Sequence, residues 1–174
     1  GSRPDFPTVM KKILQTGINL SKVQALIYQH YDPDLCGSVS NFEDIIENKD
    51  LKIISDKQNN MFIRHYSVKS QLLALDVVGH RFKFTSGREL LFANTPYSHS
   101  AGSFITFDKK SRVLFSSDLF GSYTPKQGLF IRLDKYCEKC SYSNPCPVNR
   151  GDYCLVPDII KFHQRIMTSN KALK

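Results

Sequence analysis

The most constraining feature of this sequence is a set of three metal-binding side chains at alternate positions, directly after an apolar run. Residues 23–28 are mostly apolar and predict a buried strand, and His30, Asp32 and Asp34 follow it. A buried strand that ends in ligand side chains favours an α/β fold in which several strand ends meet. One imidazole with two carboxylates favours iron or manganese over an all-imidazole zinc site. The Asp-Pro-Asp sequence is also typical of a solvated acidic turn, which is the alternative interpretation.

Two further candidate ligands stand next to other predicted strands. His99 lies between the apolar runs 90–93 and 104–107, in a predicted strand-to-strand loop. Asp118 follows the apolar run 113–115, although an acid at the end of a strand is also a frequent turn or cap residue. Five candidates so far apart in sequence come together only if several strand ends share one edge of a sandwich.

Three motifs in these segments are similar to those of a known family. They are H-x-D-x-D at residues 30–34, a His before a Gly-Ser-apolar strand at 99–104, and Leu-Phe-Ser-Ser-Asp-Leu-Phe-Gly at 114–121. With them the chain resembles the oxygen-binding di-iron domain, the metallo-β-lactamase-like part of flavodiiron proteins and of related bacterial oxygen sensors. The resemblance implies an α/β fold of the metallo-β-lactamase-like αββα sandwich type, here lacking the family's first strands and its last strand and helix.

The resemblance also implies a role for each candidate ligand. His30, Asp32 and His99 would hold one iron, Asp34 would serve the second, and Asp118 would bridge the two. A bridging carboxylate offers an oxygen to each of two ions about 3.5 to 4 Å apart. The expected cofactor is therefore a pair of iron ions, with manganese or zinc as alternatives.

Several other residues bear on the chemistry of this site. Hydrolases of this fold carry a second His in the first motif, whereas Leu35 stands there in this chain, which favours the di-iron branch. His163, on a predicted amphipathic helix, is a candidate for an extra ligand, with a packed core histidine as the alternative. Tyr31, Tyr97 and Tyr123 flank the site loops and are candidates to line the pocket or to donate a hydrogen bond to a bound gas.

Four cysteines form a second candidate metal site. Cys137, Cys140, Cys146 and Cys154 lie within 18 residues of one another, and four thiolates are a tetrahedral donor set for zinc or an iron–sulfur cluster. Zinc is the first expectation, and two disulfides or free thiols are the alternative. Cys36, next to the first motif, is interpreted as a small buried residue.

The element pattern indicates one domain core with an insertion. It predicts helices at 6–16, 40–48, 56–66 and 157–167 and strands at 23–29, 51–55, 80–85, 88–94, 103–108 and 112–117. We expect three segments: the di-iron domain at 1–135, the four-cysteine insertion at 136–155, and a C-terminal helix at 156–174 that packs on the same domain.

Composition limits the setting in which the chain works. It is 41% hydrophobic and 23% charged, and it has neither an apolar run long enough to cross a membrane nor a secretory signal pattern, so we expect a cytoplasmic protein. The net charge of +8 raises nucleic acid as a partner. Because the lysines and arginines are scattered rather than clustered, a solvated basic surface is the preferred interpretation.

Three functions compete. The first is a non-haem di-iron domain that binds oxygen or nitric oxide, as a sensor or as the di-iron half of a reductase. The sequence shows no flavin mononucleotide segment, so a reductase would use an outside electron donor, a sensor would act through a signalling output domain, and the resemblance also suggests a homodimer. The second is a hydrolase that uses a metal-bound hydroxide. The third is an interaction module that binds no metal at this site.

Overall fold

The computed structural model describes residues 1–123, 134–138 and 154–167. Within these residues the strands form two sheets. No helix in the described part of the chain is both long and apolar enough to cross a membrane. Of the predicted four-cysteine insertion, Cys140 and Cys146 lie outside the described residues.

The first sheet is parallel and carries the strand that precedes His30. Its strands, in the spatial order β1-β2-β3, are β1 (Ala25–Ile27), β2 (Lys52–Ser55) and β3 (Gln71–Ala74). Parallel neighbours require a crossover connection. The crossovers contain the helices α2 (Pro33–Cys36), α3 (Val39–Ile45) and α4 (Lys57–Ile63). On the central strand β2, Ile53 and Ile54 are completely buried, as expected for a strand that is covered on both faces.

The second sheet is antiparallel and carries the other two ligand loops. Its strands, in spatial order, are β4 (Arg81–Lys83), β5 (Glu89–Asn94), β6 (Phe104–Asp108) and β7 (Val113–Phe115). Because β6 and β7 are antiparallel, the start of β6 and the end of β7 lie at the same edge. The loop before β6 and the segment after β7 are therefore brought together by strand pairing.

The main core lies between the two sheets. It consists of buried side chains from both of them and from the segment after β3: Ile54, Leu75, Leu90, Phe92 and Phe104. The rings of Phe92 and Phe104 meet edge to face, with centroids 5.6 Å apart, which is a favourable aromatic geometry. Burying each such side chain contributes about 1.5 to 3 kcal/mol, so this layer holds the sheets face to face.

Helices cover the outer face of the parallel sheet. One buried cluster contains Tyr28, Cys36, Val39, Ile53 and Ile63, and thus joins α2, α3 and α4 to β2. The helix α1 (Phe6–Gln15) packs on α3, where the rings of Phe6 and Phe42 meet edge to face at 5.1 Å. The described part of the chain thus has the helix–sheet–sheet order of an α/β sandwich.

The six predicted strands are present but shorter, and the four predicted helices are present. The main differences concern β3, α2 and the third predicted helix. The strand β3 was not predicted, because its four residues become a strand only through pairing with β2. The short helix α2 was not predicted either, and the third predicted helix ends at Ile63 and continues as a 3-10 turn over Arg64–Tyr66. The helix α5 (Val156–Ile166) forms at the predicted position.

Candidate metal centre

His30 lies two residues beyond Tyr28, which still pairs with β2 through its main-chain N–H. Its imidazole is only 2% exposed. The Nδ1 atom lies 2.8 Å from Oγ of Ser117, whereas Nε2 is buried and has no hydrogen-bond partner among the described residues. An unpaired buried nitrogen costs about 1 to 3 kcal/mol, so this atom marks a position where a ligand would be stabilised.

Asp32 and Asp34 are placed by the short helix α2. The main-chain oxygen of Asp32 accepts the N–H groups of Leu35 and Cys36 at 3.0 and 2.8 Å. Its side chain makes no capping hydrogen bond, and its Oδ2 lies 3.3 Å from Nε2 of His99. Asp34, one residue after the proline that starts the helix, has its Oδ1 3.7 Å from Nε2 of His30 and a side chain that is 70% exposed. The two carboxylates therefore reach different imidazoles.

His99 lies in a loop that closes on itself between β5 and β6. The main-chain N–H of Thr95 donates to Ser103 at 2.8 Å, and that of Tyr97 donates to Ser100 at 2.8 Å. The hydroxyls of Ser100 and Ser103 are 3.0 Å apart and buried. These internal hydrogen bonds give the loop a defined shape, and they set the imidazole of His99 at the edge of the sheet.

Asp118 follows β7 in a tight turn. Its main-chain oxygen accepts the N–H of Gly121 at 2.9 Å, and the flanking residues Ser117 and Phe120 have left-handed φ values of 55° and 74°. Its Oδ2 lies 3.0 Å from Nε2 of His99 and 3.8 Å from Nε2 of His30. One carboxylate oxygen thus lies near both of the imidazoles that the resemblance assigns to the same ion.

The five predicted ligands therefore converge. Two sets of candidate ligand atoms lie within 4.8 Å of one another: those of His30, His99 and Asp118, and those of His30, Asp32 and Asp34. The rings of His30 and His99 are 5.3 Å apart. Three carboxylates so close together repel one another unless a cation lies between them. The donor set of imidazoles and carboxylates, together with the unpaired Nε2 of His30, fits divalent iron.

A buried amide behind the site links the ligand-bearing segments. The side chain of Asn59, on α4, is completely buried, and its Nδ2 donates to the main-chain oxygen of Gly102 at 2.7 Å and to Ser55 Oγ at 3.1 Å. The main-chain oxygen of Gln29 accepts from Phe104 at 3.2 Å. The hydrogen bond from Asn59 to Gly102 anchors the His99 loop, and the hydrogen bond from Phe104 to Gln29 joins the segment before His30 to β6.

Gln29 also reaches the segment that carries Asp118. Its Nε2 donates to the main-chain oxygen of Phe115 at 2.7 Å and lies 3.3 Å from Oγ1 of Thr106. Gln29, Asn59 and Ser117 were missed by the sequence analysis. The only sequence signal for Gln29 and Ser117 was that each stands next to a candidate ligand, His30 or Asp118. No sequence signal pointed to Asn59.

His163, the candidate extra ligand, is engaged elsewhere in this structure. Its Nδ1 lies 2.8 Å from the main-chain oxygen of Ile159, and its Nε2 accepts the N–H of Phe120 at 3.2 Å. Both ring nitrogens are thus used within the protein. The imidazole joins α5 to the turn after Asp118, where a Cβ on Gly121 would come within 2.6 Å of the Phe162 ring.

The three candidate pocket tyrosines take different positions. Tyr31 is partly buried, with its ring stacked on Phe62 at 4.2 Å, whereas Tyr97 and Tyr123 are exposed. Their hydrogen bonding to a gas stays a prediction. Leu35 stands where the resemblance places a second His in hydrolases of this fold. Its side chain packs against the buried cluster under α2, so this position of the first motif contributes to the hydrophobic core.

The cysteines are described only in part. Cys36 is completely buried, as predicted. Cys137 is partly buried, and its main-chain N–H donates to Asp134 at 2.8 Å. Cys154 is buried. Because Cys140 and Cys146 lie outside the described residues, the four-cysteine site stays a prediction.

A family model matches the whole chain, and curated relatives match most of it. A family model described as "ODP family beta lactamase" matches residues 1–174. A putative diflavin flavoprotein A 2 from Synechocystis is 26% identical over 132 residues, which are 74% of this chain and 22% of that protein. An anaerobic nitric oxide reductase flavorubredoxin from Vibrio vulnificus is 24% identical over 160 residues, 92% of this chain and 29% of that protein.

A solved structure shows the same fold. It is described as a peroxy diiron species of the chemotaxis sensor ODP, and it superposes with a TM-score of 0.66 at 22% identity over 92% of this chain and 59% of that chain. The chain thus spans about a quarter of the length of these curated relatives and over half of the solved chain. The metallo-β-lactamase-like α/β fold predicted from the sequence is confirmed.

Proposed function

The chain belongs to the ODP family of β-lactamase-like proteins, and on this premise we propose that it is a non-haem di-iron domain that binds oxygen or nitric oxide. Its role is that of a sensor or of the di-iron half of a reductase. The observation that carries the proposal is the buried Nε2 of His30, which has no hydrogen-bond partner among the described residues and faces carboxylates of Asp34 and Asp118 at 3.7 and 3.8 Å.

The proposed ligands are His30, Asp32, Asp34, His99 and Asp118. Asp118 is proposed as the bridge because the family resemblance gives it that role and one carboxylate can offer an oxygen to each of two ions; its Oδ2 lies near both imidazoles proposed for the first ion. Two ferrous ions would supply open coordination positions and electrons for a diatomic gas. The protein's own contribution is to bring two imidazoles and three carboxylates to one edge and to hold them there through the loop hydrogen bonds.

Iron is proposed over zinc because carboxylates make up most of the donor set. The relatives support the same choice, since a similar solved structure is described as a diiron species. The hydrolase alternative lacks a comparable observation, because Leu35 packs into the core where a zinc-binding His would stand.

Metal content tests the proposal. Protein prepared without oxygen from iron-replete cells should contain about two iron ions per chain, and its visible spectrum should change when oxygen or nitric oxide is added. His30→Ala should abolish the spectral change. The matched control is His65→Ala, which removes an exposed imidazole and should leave it intact. Zinc alone with no spectral response would contradict the proposal and favour the hydrolase.

A second measurement separates a sensor from a reductase. The loaded protein is mixed with excess chemical reductant, and oxygen or nitric oxide consumption is followed over many equivalents. Sustained consumption supports the reductase half, whereas consumption that stops after about one equivalent per site supports a sensor. A cytoplasmic location, a homodimer and an output domain or electron donor as partner remain predictions.

The four cysteines are proposed as a separate zinc or iron–sulfur site. The support is their donor chemistry and spacing in the sequence. Cys140→Ser should remove one zinc ion or one cluster without changing the iron content of the main site. Loss of all metal in this variant would contradict two independent sites.

A further inference from the structure

We propose that Ser117 is a positioning residue of the metal centre, whose hydroxyl accepts the Nδ1–H of His30 when Nε2 binds the metal and so holds the imidazole in the orientation that presents Nε2 to the site. The inference rests on the proposed function, because it takes His30 as a ligand. Ser117 lies next to Asp118 in the chain, but its hydroxyl contacts the Nδ1 side of the His30 ring, whereas Asp118 faces Nε2.

The contact itself is short and protected. Nδ1 of His30 lies 2.8 Å from Oγ of Ser117, and the imidazole is 2% exposed. On the other side of the ring, Nε2 faces Oδ1 of Asp34 at 3.7 Å and Oδ2 of Asp118 at 3.8 Å. The two ring nitrogens therefore have different surroundings, a hydroxyl on one side and carboxylates on the other.

The chemistry of imidazole gives this asymmetry a consequence. A neutral imidazole carries one N–H, and the nitrogen that binds a metal must be the other one. If Nε2 binds the metal, Nδ1 carries the proton and the Ser117 hydroxyl must accept it. In the opposite tautomer the hydroxyl would donate to Nδ1, and the N–H at Nε2 would occupy the metal's position. The Ser117 hydroxyl can serve either tautomer, and in the metal-binding form it gives the buried Nδ1–H its hydrogen-bond acceptor.

The backbone explains how a serine reaches this place. Ser117 has a φ of 55°, in the left-handed region that few residues other than Gly, Asn and Asp adopt readily. The preceding strand is held by Gln29, whose Nε2 donates to Phe115 at 2.7 Å. The residue before His30 and the residue before Ser116 are thus tied together, and the Ser117 hydroxyl is held at the ring of His30.

Two substitutions separate the hydroxyl from the backbone. Ser117→Gly removes the acceptor and suits a positive φ, whereas Ser117→Ala removes it and keeps the strain. Loss of an outer partner of a metal-bound His typically weakens metal affinity about 10- to 100-fold, and both variants should show this loss. The matched control is Ser67→Ala, because Ser67 is an exposed serine with nearly the same left-handed φ of 59°. It should bind metal like the wild type.

The experiment uses Zn²⁺ and Fe²⁺ as probes, in competition with a chelator of known affinity, on the full chain. In parallel, NMR of labelled histidine follows the Nδ1–H of His30 in the zinc-loaded proteins. We expect a hydrogen-bonded Nδ1–H with its proton shifted downfield in the wild type, and an upfield shift of this proton in Ser117→Gly. A purely structural role for Ser117 would lower stability without moving this signal.

The outcomes distinguish the two proposals. Wild-type protein that takes up neither metal contradicts the proposed function, and the inference about Ser117 is overturned with it. Wild-type protein that binds metal, together with unchanged affinity and an unchanged Nδ1–H signal in Ser117→Gly, overturns only the role of Ser117. Folding of each variant is checked by circular dichroism, and Ser117→Gly keeps the test valid if Ser117→Ala fails to fold.

Discussion

The contact between Asn59 and Gly102 gives a prediction whose magnitude follows from the structure. Gly102 lies in the loop that carries His99, and its main-chain oxygen accepts a hydrogen bond from Nδ2 of Asn59 at 2.7 Å. A Cβ at Gly102 would lie 2.4 Å from Oδ1 and 2.8 Å from Cγ of Asn59. Because Asn59 is completely buried, its side chain has no free space into which it can move.

Each single substitution should destabilise the protein. Asn59→Ala leaves the oxygen of Gly102 without its amide donor, at a cost of about 1 to 3 kcal/mol, and it removes two further hydrogen bonds, to Oγ of Ser55 at 3.1 Å and to the main-chain oxygen of Gln29 at 3.4 Å. It also removes Oδ1 of Asn59, which has no partner among the described residues, so the net loss should be about 2 kcal/mol. Gly102→Ala forces extra volume into a filled space, which typically costs about 1 to 3 kcal/mol.

The double variant should be more stable than the sum predicts. In an Asn59→Ala background the two closest obstacles to a Cβ at Gly102 are gone, and the next nearest atom is the main-chain nitrogen of Asn59 at 3.1 Å. Gly102→Ala should then cost about 1 kcal/mol or less, which is a coupling free energy of about 1 to 2 kcal/mol. The free energies of unfolding come from urea titrations of the metal-free protein, followed by circular dichroism.

The matched control is Asn60→Ala, at the next position of the same helix. Asn60 is also buried, but it is not among the atoms nearest to a Cβ at Gly102. Its effect should add to that of Gly102→Ala within about 0.5 kcal/mol. Additive effects for Asn59 and Gly102 as well would refute the reasoning, since the steric conflict would then be relieved by loop movement rather than by the missing side chain.

Three further predictions concern metal binding, acid stability and thiol reactivity. Asp118→Ala should abolish binding of both metals if it bridges them, whereas Asp34→Ala should empty mainly one position; loss of half the metal in both, by elemental analysis, would contradict the bridge. Arg88, helped by the hydroxyl of Ser111, holds the pKa of Asp108 far below its usual range. The pair therefore stabilises the fold above about pH 4, and its contribution to the free energy of unfolding is lost as the pH falls further. Asp108→Asn should therefore lower stability at neutral pH and flatten the acid-unfolding curve below pH 4, and an unchanged curve would exclude the pair as a source of acid sensitivity. Burial raises the pKa of the Cys36 thiol to about 12, so peptide mapping after iodoacetamide treatment at about pH 8 should find it unmodified until the protein is denatured.

Much of the fold was predictable from local patterns. Apolar or alternating runs located six of the strands, because a buried strand face needs apolar residues whatever its partner. The amphipathic helices α1 and α5 were predicted for the same reason. The strand β3 escaped prediction, since Gln71–Ala74 is defined by its pairing with β2 and not by its own pattern.

The five ligands were also predicted from the sequence, but only as a set of suitable side chains. The sequence supplied imidazoles and carboxylates at strand ends and, through a family resemblance, their assignment to two ions. It did not show that Asp118 would lie 3.0 Å from His99. That closeness follows from antiparallel pairing of β6 with β7, which brings the end of one strand beside the start of the other.

Only the tertiary structure decided which groups support the ligands. The hydroxyl of Ser117 and the ring of His30 are 87 positions apart in the chain, and Asn59 and Gly102 are 43 apart. Local sequence patterns report the period of burial along one segment and carry no information about which distant segment lies opposite. The types of candidate ligand were therefore determined by the sequence alone, whereas their spacing, the contact of His30 with Ser117 and the anchoring of the His99 loop depend on long-range packing.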